Sequence, residues 1–202
     1  IKECNDMSNI HSNRRIFSSL FWKNMESGGV QGVGFLVSIV LARVLTPDEF
    51  GVIALVTIFI TLANVFVQSG FNVALIQKKD ADNLDFSSVL YFSIAVAFFL
   101  NILIYIATPF ISTFYGEPIL TPVLRVLSII LYFGAINSVQ VAIVSRNLEF
   151  KKLFFSSIGA VIISGVIGIT LAYRGFGVWA LVGQQITNQL FTTLIMWFTV
   201  KW

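Results

Sequence analysis

The sequence predicts an all-α, polytopic transmembrane bundle of six helices, and three observations lead there. Six apolar stretches, each close to twenty residues, divide a chain of only 202 residues. A helix needs about 20 apolar residues to cross the roughly 30 Å hydrocarbon core of a bilayer. Charged residues make up only 11% of the chain and hydrophobic ones 56%. A soluble domain carries about 25% charged residues, so this chain cannot cover itself with a solvated surface. Its 20 Phe and 4 Trp suit lipid contact and the interfacial aromatic belts.

A polar lead over residues 1–22 precedes a six-helix lobe over 23–202, with spans at 27–44, 52–71, 89–108, 123–144, 154–173 and 178–200. The lead is basic and has no separate apolar region or small-residue cleavage site, so no secretory signal is expected there. Met7 is a candidate start, and Ile16 to Trp22 reads as an interfacial amphipathic helix. Before the second span, Thr46-Pro47-Asp48-Glu49 has helix-start chemistry: a capping threonine, a proline at the first position, and a glutamate able to close a capping box. Thr121-Pro122 repeats part of this before the fourth span, and Gly175-Phe176-Gly177 is a tight turn before the sixth. Asp80, Asp82 and Asp85 suit the dipole at the start of the third. Phe50-Gly51-Val52-Ile53-Ala54-Leu55 is echoed by Phe176-Gly177-Val178-Trp179-Ala180-Leu181, as in a fold built from repeated hairpins. Gly28, Gly29, Gly32 and Gly34 on the first span, and Gly159, Gly165 and Gly168 on the fifth, read as helix-packing positions.

Loop charge sets the orientation. With the N-terminus inside, Lys2, Arg14, Arg15, Lys23, Lys78, Lys79, Arg146, Lys151, Lys152 and Lys201 are inner, and Arg43, Arg125 and Arg174 outer. That is ten against three of the 13 basic residues. The chain is expected to be N-in and C-in. The lone Cys4 excludes an internal disulfide, and a net charge of +3 with no basic stripe does not point to nucleic acid.

Catalytic signatures are missing from the spans. No Asp or Glu lies at mid-membrane depth, Glu26 being closest at the inner mouth of the first span, and the single His11 is in the lead. No metal site, nucleophile relay, phosphate-binding glycine loop or cofactor is implied, and no catalytic residue is assigned. What the spans do hold is neutral amides at helical spacing: Thr61, Asn64 and Gln68; Asn137 and Gln140; Gln184 with Asn188; Gln185 with Gln189; also Gln31 and Asn101. Amides facing lipid would go unsatisfied, so they should face inward. There they either glue helices together or present amides to a hydroxyl-rich cargo such as a sugar. The cavity candidates are Gln31, Asn64, Gln68, Asn137, Gln140, Gln184 and Asn188. Arg43 and Arg125 are anion-contact candidates, since a guanidinium binds phosphate bidentately and stays charged.

Five motifs carry a resemblance. They are Leu41-Ala42-Arg43-Val44-Leu45-Thr46-Pro47-Asp48-Glu49-Phe50-Gly51, Ser69-Gly70-Phe71-Asn72-Val73-Ala74-Leu75-Ile76-Gln77-Lys78-Lys79-Asp80, Phe114-Tyr115-Gly116-Glu117-Pro118, Pro122-Val123-Leu124-Arg125-Val126-Leu127-Ser128 and Gly175-Phe176-Gly177-Val178-Trp179-Ala180-Leu181-Val182. In order and spacing, over about Ile16 to Trp202, the chain resembles bacterial polysaccharide transporters of the O-antigen flippase type, in the multidrug/oligosaccharidyl-lipid/polysaccharide flippase superfamily. The resemblance implies one lobe, the amino-terminal half, of a two-lobed fold of 12 to 14 helices. It implies a non-enzymatic transporter moving an undecaprenyl-diphosphate-linked oligosaccharide across the bacterial inner membrane for lipopolysaccharide or other surface glycan. The implied partners are that lipid-linked oligosaccharide, the bilayer, a C-terminal lobe and polysaccharide assembly proteins. A drug or cation exporter of the same superfamily, or a membrane enzyme of glycan assembly, is the alternative. The exporter would want a buried carboxylate and the enzyme a large outer loop.

The orientation is checked by single cysteines in a Cys4→Ala background. In intact spheroplasts an impermeant thiol reagent should label a cysteine at Glu117 and spare one at Lys79. The reverse pattern would overturn the topology.

Overall fold

The computed structural model describes residues 2–68, 83–147 and 149–199, and the side chains of 21–68, 85–147 and 149–199. The expectations placed on Lys78, Lys79, Asp80, Asp82 and Lys201, and on the side chains of Lys2, Cys4, His11, Arg14 and Arg15, lie outside the described residues. Every regular element among the described residues is a helix: α1 (Lys2–Ala42), α2 (Pro47–Gln68), α3 (Asn83–Tyr115), α4 (Leu120–Leu127), α5 (Ile130–Asn147), α6 (Phe150–Tyr173) and α7 (Val178–Thr199). α4 and α5 are two parts of one rod, so these segments build an all-α bundle of six rods.

Five of the rods are long and apolar enough to cross a membrane: Phe21–Ala42, Pro47–Gln68, Asp85–Tyr115, Leu120–Asn147 and Phe150–Tyr173. The chain is a multi-pass membrane protein. The sixth rod, α7, equals α2 in length at 22 residues. Its composition differs because Gln184, Gln185, Asn188 and Gln189 crowd into little more than a turn, and that stretch is half-buried among its neighbours. The turns bearing Arg43 and Arg174, and the loop after α3, lie at one end of the bundle, here the arginine end. Lys23, Lys151 and Lys152 mark the opposite, lysine end.

Local chemistry sets several boundaries. The α2 start follows the expected capping box: Pro47 opens the helix and the Thr46 N–H donates to Glu49 Oε2 at 2.7 Å. The lead is not a separate amphipathic helix. It continues α1 without a break to give 41 residues, about 60 Å at 1.5 Å per residue. Thr121 does not cap the fourth rod, since α4 begins at Leu120 with Ile119 at the cap and no side-chain cap bond. Pro122 then falls inside the first turn, where its missing N–H leaves no bond unmade.

The fourth rod also breaks, which the sequence reading did not foresee. Ile129 N–H bonds Val126 O, Leu131 N–H bonds Ser128 O and Tyr132 N–H bonds Ile129 O, a tight turn between two α-helical stretches. The Arg125 carbonyl, which Ile129 would otherwise reach, accepts the Ser128 hydroxyl at 2.7 Å. Ser128 Oγ in turn accepts Asn101 Nδ2 at 2.7 Å, so a residue of α3 pins the break.

Helix contacts are closest around α6, which packs on α1 and α7. A Cβ added at Gly165 would stand 2.6 Å from Val37 Cγ2 of α1, and one at Gly168 would stand 2.9 Å from Gln184 Cβ of α7. Gly29 faces Ile158 Cδ1 at 2.9 Å in the same sense. Gly134 of α5 lies directly beneath the Asn64 carboxamide of α2. The other α1 glycines are a correction: Gly28, Gly32 and Gly34 meet nothing within 4 Å among the described residues. Helical periodicity places them, but among the described residues only Gly29 of the four faces a neighbour. The core runs from Val56 of α2 through Leu120, Leu124 and Leu127 of α4 to Leu131 of α5, with a second cluster of Phe86, Val139, Ile143, Leu153 and Met196. Phe35, Phe98, Phe99 and Phe110 lie exposed on the outside, as lipid contact requires.

At the arginine end two turns meet. The Glu49 carboxylate that caps α2 also rests against Gly177, which has φ of +56° and no room for a side chain. The repeated Phe-Gly motifs of α2 and α7 are therefore held side by side by one glutamate.

Overpacking a close helix contact costs about 1–3 kcal/mol. In the full-length protein, Gly165→Leu should lower the melting temperature in detergent and the yield of monodisperse protein. Gly28→Leu and Gly32→Leu should leave both near wild type. Equal losses from all three would contradict the assignment of α6 as the close-contact helix.

Candidate functional site

Helical spacing puts polar residues on single faces, and five helices turn such faces toward one cleft at the lysine end. α5 contributes Gly134, Asn137, Ser138 and Val141, and α7 contributes Gln189, Thr192 and Met196. α6 adds Leu153 and Ser157, α1 adds Lys23 and Glu26, and Gln68 ends α2. The cleft holds about 260 Å³. The same glycine contacts bring its walls together: Gly29 seats α1 on α6, and Gly134 lets α2 approach α5.

Lys23 and Glu26, one helical turn apart, pair at 2.7 Å. The Glu26 side chain is only 14% exposed, and its other oxygen accepts the Ser157 hydroxyl at 3.3 Å. This is the one carboxylate among the described lining residues. Hydroxyls nearby are partly engaged with backbone: Ser138 donates to Ala135 O at 2.7 Å and Ser156 to Thr192 O at 3.2 Å. The amides are not. Asn64 Oδ1, Asn137 Oδ1 and both polar atoms of Gln140 are out of solvent contact and have no hydrogen-bond partner among the described residues. Buried polar groups cost free energy until they are hydrogen-bonded. The cleft therefore has amide-bearing walls, with unpartnered amide atoms packed in or beside them and one charge pair among its lining residues.

The amide candidates separate by position. Gln68 and Asn137 line the cleft. Asn64 sits beside it against Gly134, and Gln140 is buried at 3% exposure on the same helix as Asn137. Gln184 packs its aliphatic stem on Gly168, which is a helix contact and not a cavity wall. Asn188 is half-buried, and neither it nor Gln184 is among the lining residues. Gln31 is exposed on α1 and does not line the cleft. Lys23, Glu26, Ser138, Ser157 and Thr192 were not among the candidates. In the sequence Lys23 reads as topological charge and Glu26 as a mouth residue. Gln189 was visible as the partner of Gln185 in an i, i+4 pair.

The two arginine candidates are not brought together. Arg43 is exposed in the turn after α1, whose main partner is α6. Arg125 belongs to α4, which packs on α3, α2 and α7, and its guanidinium carbon lies 4.1 Å from the Tyr105 ring centroid.

The chain is 25% identical over 169 residues to the succinoglycan biosynthesis transport protein ExoT of Rhizobium meliloti, covering 84% of this chain and 34% of that protein. It is 20% identical over 188 residues to the lipopolysaccharide biosynthesis protein WzxC of Escherichia coli, covering 93% of this chain and 38% of the other. It is 24% identical over 192 residues to the teichuronic acid biosynthesis protein TuaB of Bacillus subtilis, with 94% and 40% covered. The chain thus spans well under half the length of these relatives. No solved structure gives a significant match. The model of the family described as "Polysaccharide biosynthesis protein" matches residues 40–202, from the end of α1 through all of α7. With that match over most of its length, the chain belongs to the polysaccharide biosynthesis protein family.

Proposed function

We propose that this chain is one lobe of a transporter that moves a lipid-linked oligosaccharide, carried on undecaprenyl diphosphate, across the bacterial inner membrane for surface polysaccharide. The polar cleft at the lysine end carries this reading. Moving a charged, hydroxyl-rich head group through hydrocarbon is very costly. Gln68, Asn137, Gln189 and Thr192 offer amides and a hydroxyl to sugar hydroxyls there, while the apolar outer faces leave the lipid tail in the bilayer. The lysine end faces the cytosol, so the cleft is the loading side. A second lobe closes the cargo path, and rocking of the two lobes alternates access. Polysaccharide assembly proteins receive the product on the far side.

The cleft also weighs against the cation-exporter alternative. Such a carrier needs a carboxylate free to take the cation, and Glu26 is already neutralised by Lys23 at 2.7 Å.

The test is complementation of a flippase-deficient strain by the full-length protein, with surface glycan and membrane abundance measured together. Asn137→Leu with Gln189→Leu should cut glycan several-fold at unchanged abundance. Phe98→Leu, on the lipid-facing side of α3, should be neutral. Normal glycan from the double variant would overturn the role of the cleft.

A further inference from the structure

Away from the cleft, at the arginine end, Arg125 is a half-buried cation with no partner anion among the described residues. Among the described residues no carboxylate pairs with it and no acceptor takes a hydrogen bond from its guanidinium, while its Nε is shut off from solvent. What it does have is the Tyr105 ring, 4.1 Å from the guanidinium carbon. The backbone beneath is fixed: Asn101 holds Ser128, and Ser128 holds the Arg125 carbonyl. The side chain thus projects from an anchored turn of helix into the seam between α3 and α4.

Its depth is defined by the fourth rod. Arg125 lies five residues from the start of the rod Leu120–Asn147, about 7.5 Å along the axis, and Tyr105 stands beside it on α3. At the end of α3 Tyr115 is exposed, a residue type of the interfacial belt. The charge therefore lies within two helical turns of the arginine end, where a long guanidinium side chain can reach lipid phosphates. A guanidinium cannot shed its charge, and partial burial without a counter-ion is unfavourable. It can satisfy this by gripping two oxygens of one phosphate, while the tyrosine ring supports its cationic face.

We propose that Arg125 and Tyr105 form a binding site for the phosphate of a membrane lipid in the α3–α4 seam. The site is distinct from the cleft and does not rest on the transport reading. Two lipids carry the required chemistry: a resident glycerophospholipid, or a polyprenyl lipid with its phosphate at the head. Asn101 and Ser128 are positioning residues, because they fix the helix from which Arg125 extends.

The experiment is native mass spectrometry of the delipidated full-length protein, titrated with phosphatidylglycerol, with diacylglycerol as the phosphate-free probe, and with a polyprenyl monophosphate. Wild type should retain phosphatidylglycerol more tightly than diacylglycerol at one saturable site. Arg125→Gln should weaken that site about tenfold or more, and Arg125→Lys less, because the two-pronged grip is lost. Tyr105→Leu, at an exposed ring, should weaken it as well and carries the test if Arg125→Gln does not fold. Arg174→Gln, an exposed arginine at the same end, should change nothing. Displacement of phosphatidylglycerol by the polyprenyl phosphate identifies the second source, and failure to displace identifies the first; both support the site. Unchanged phosphatidylglycerol binding in folded Arg125→Gln, or in folded Tyr105→Leu if Arg125→Gln does not fold, or equal retention of diacylglycerol by wild type, would overturn it.

Discussion

How closely α6 lets its neighbours approach is the constraint from which the rest of this bundle follows. Between helices in lipid there is no hydrophobic drive, since acyl chains are as apolar as leucine, so association depends on close contact and interhelical hydrogen bonds. Gly165 admits Val37 and Gly168 admits the Gln184 stem, each at a separation a methyl group would destroy. α1 and α7 are thereby held on either side of α6. The walls of the cleft then follow: Lys23 and Glu26 from α1, Ser157 from α6, Gln189 and Thr192 from α7. Gly134 performs the same service on the other side by seating Asn64 and bringing Gln68 to the rim.

The neutral polar residues divide their work. Asn101 and Ser128 join α3 to the break in the fourth rod through a 2.7 Å hydrogen bond, and Gln184 contributes its aliphatic stem to a helix contact. These are structural uses. Gln68, Asn137 and Gln189 instead line the cleft, where an amide atom open to water can exchange it for a sugar hydroxyl at little net cost. Amides suit this because they bind without a fixed charge. The Lys23–Glu26 pair adds polarity at the rim while keeping the local charge balanced.

Much of this architecture was legible because its causes are local. The α2 start could be read from Thr46-Pro47-Asp48-Glu49, whose capping bond involves atoms three residues apart. Apolar runs mark where long helices lie, although amide-rich α7, half-buried among its neighbours, is less apolar than the five other rods. The break at Ser128 was not legible, because a partner 27 residues away pins it. The glycines show the same limit. Periodicity marks Gly28, Gly29 and Gly32 alike as small positions, and only the fold decides that Gly29 meets Ile158. For the site, spacing groups residues by helix face but cannot say which faces meet. Attention to amides alone passed over Lys23, Glu26 and three hydroxyl residues.

The central claim is that polar faces of five helices enclose a water-accessible cleft within an otherwise lipid-facing bundle. Site-directed nitroxides in the full-length protein, reconstituted in liposomes, test this most directly. Labels at Asn137, Gln189 and Thr192 should collide readily with a water-soluble nickel complex and weakly with oxygen. Labels at Leu62 and Phe98, exposed on the outer faces of α2 and α3, should show the opposite preference. Lipid-like collision rates at all five positions would contradict the account.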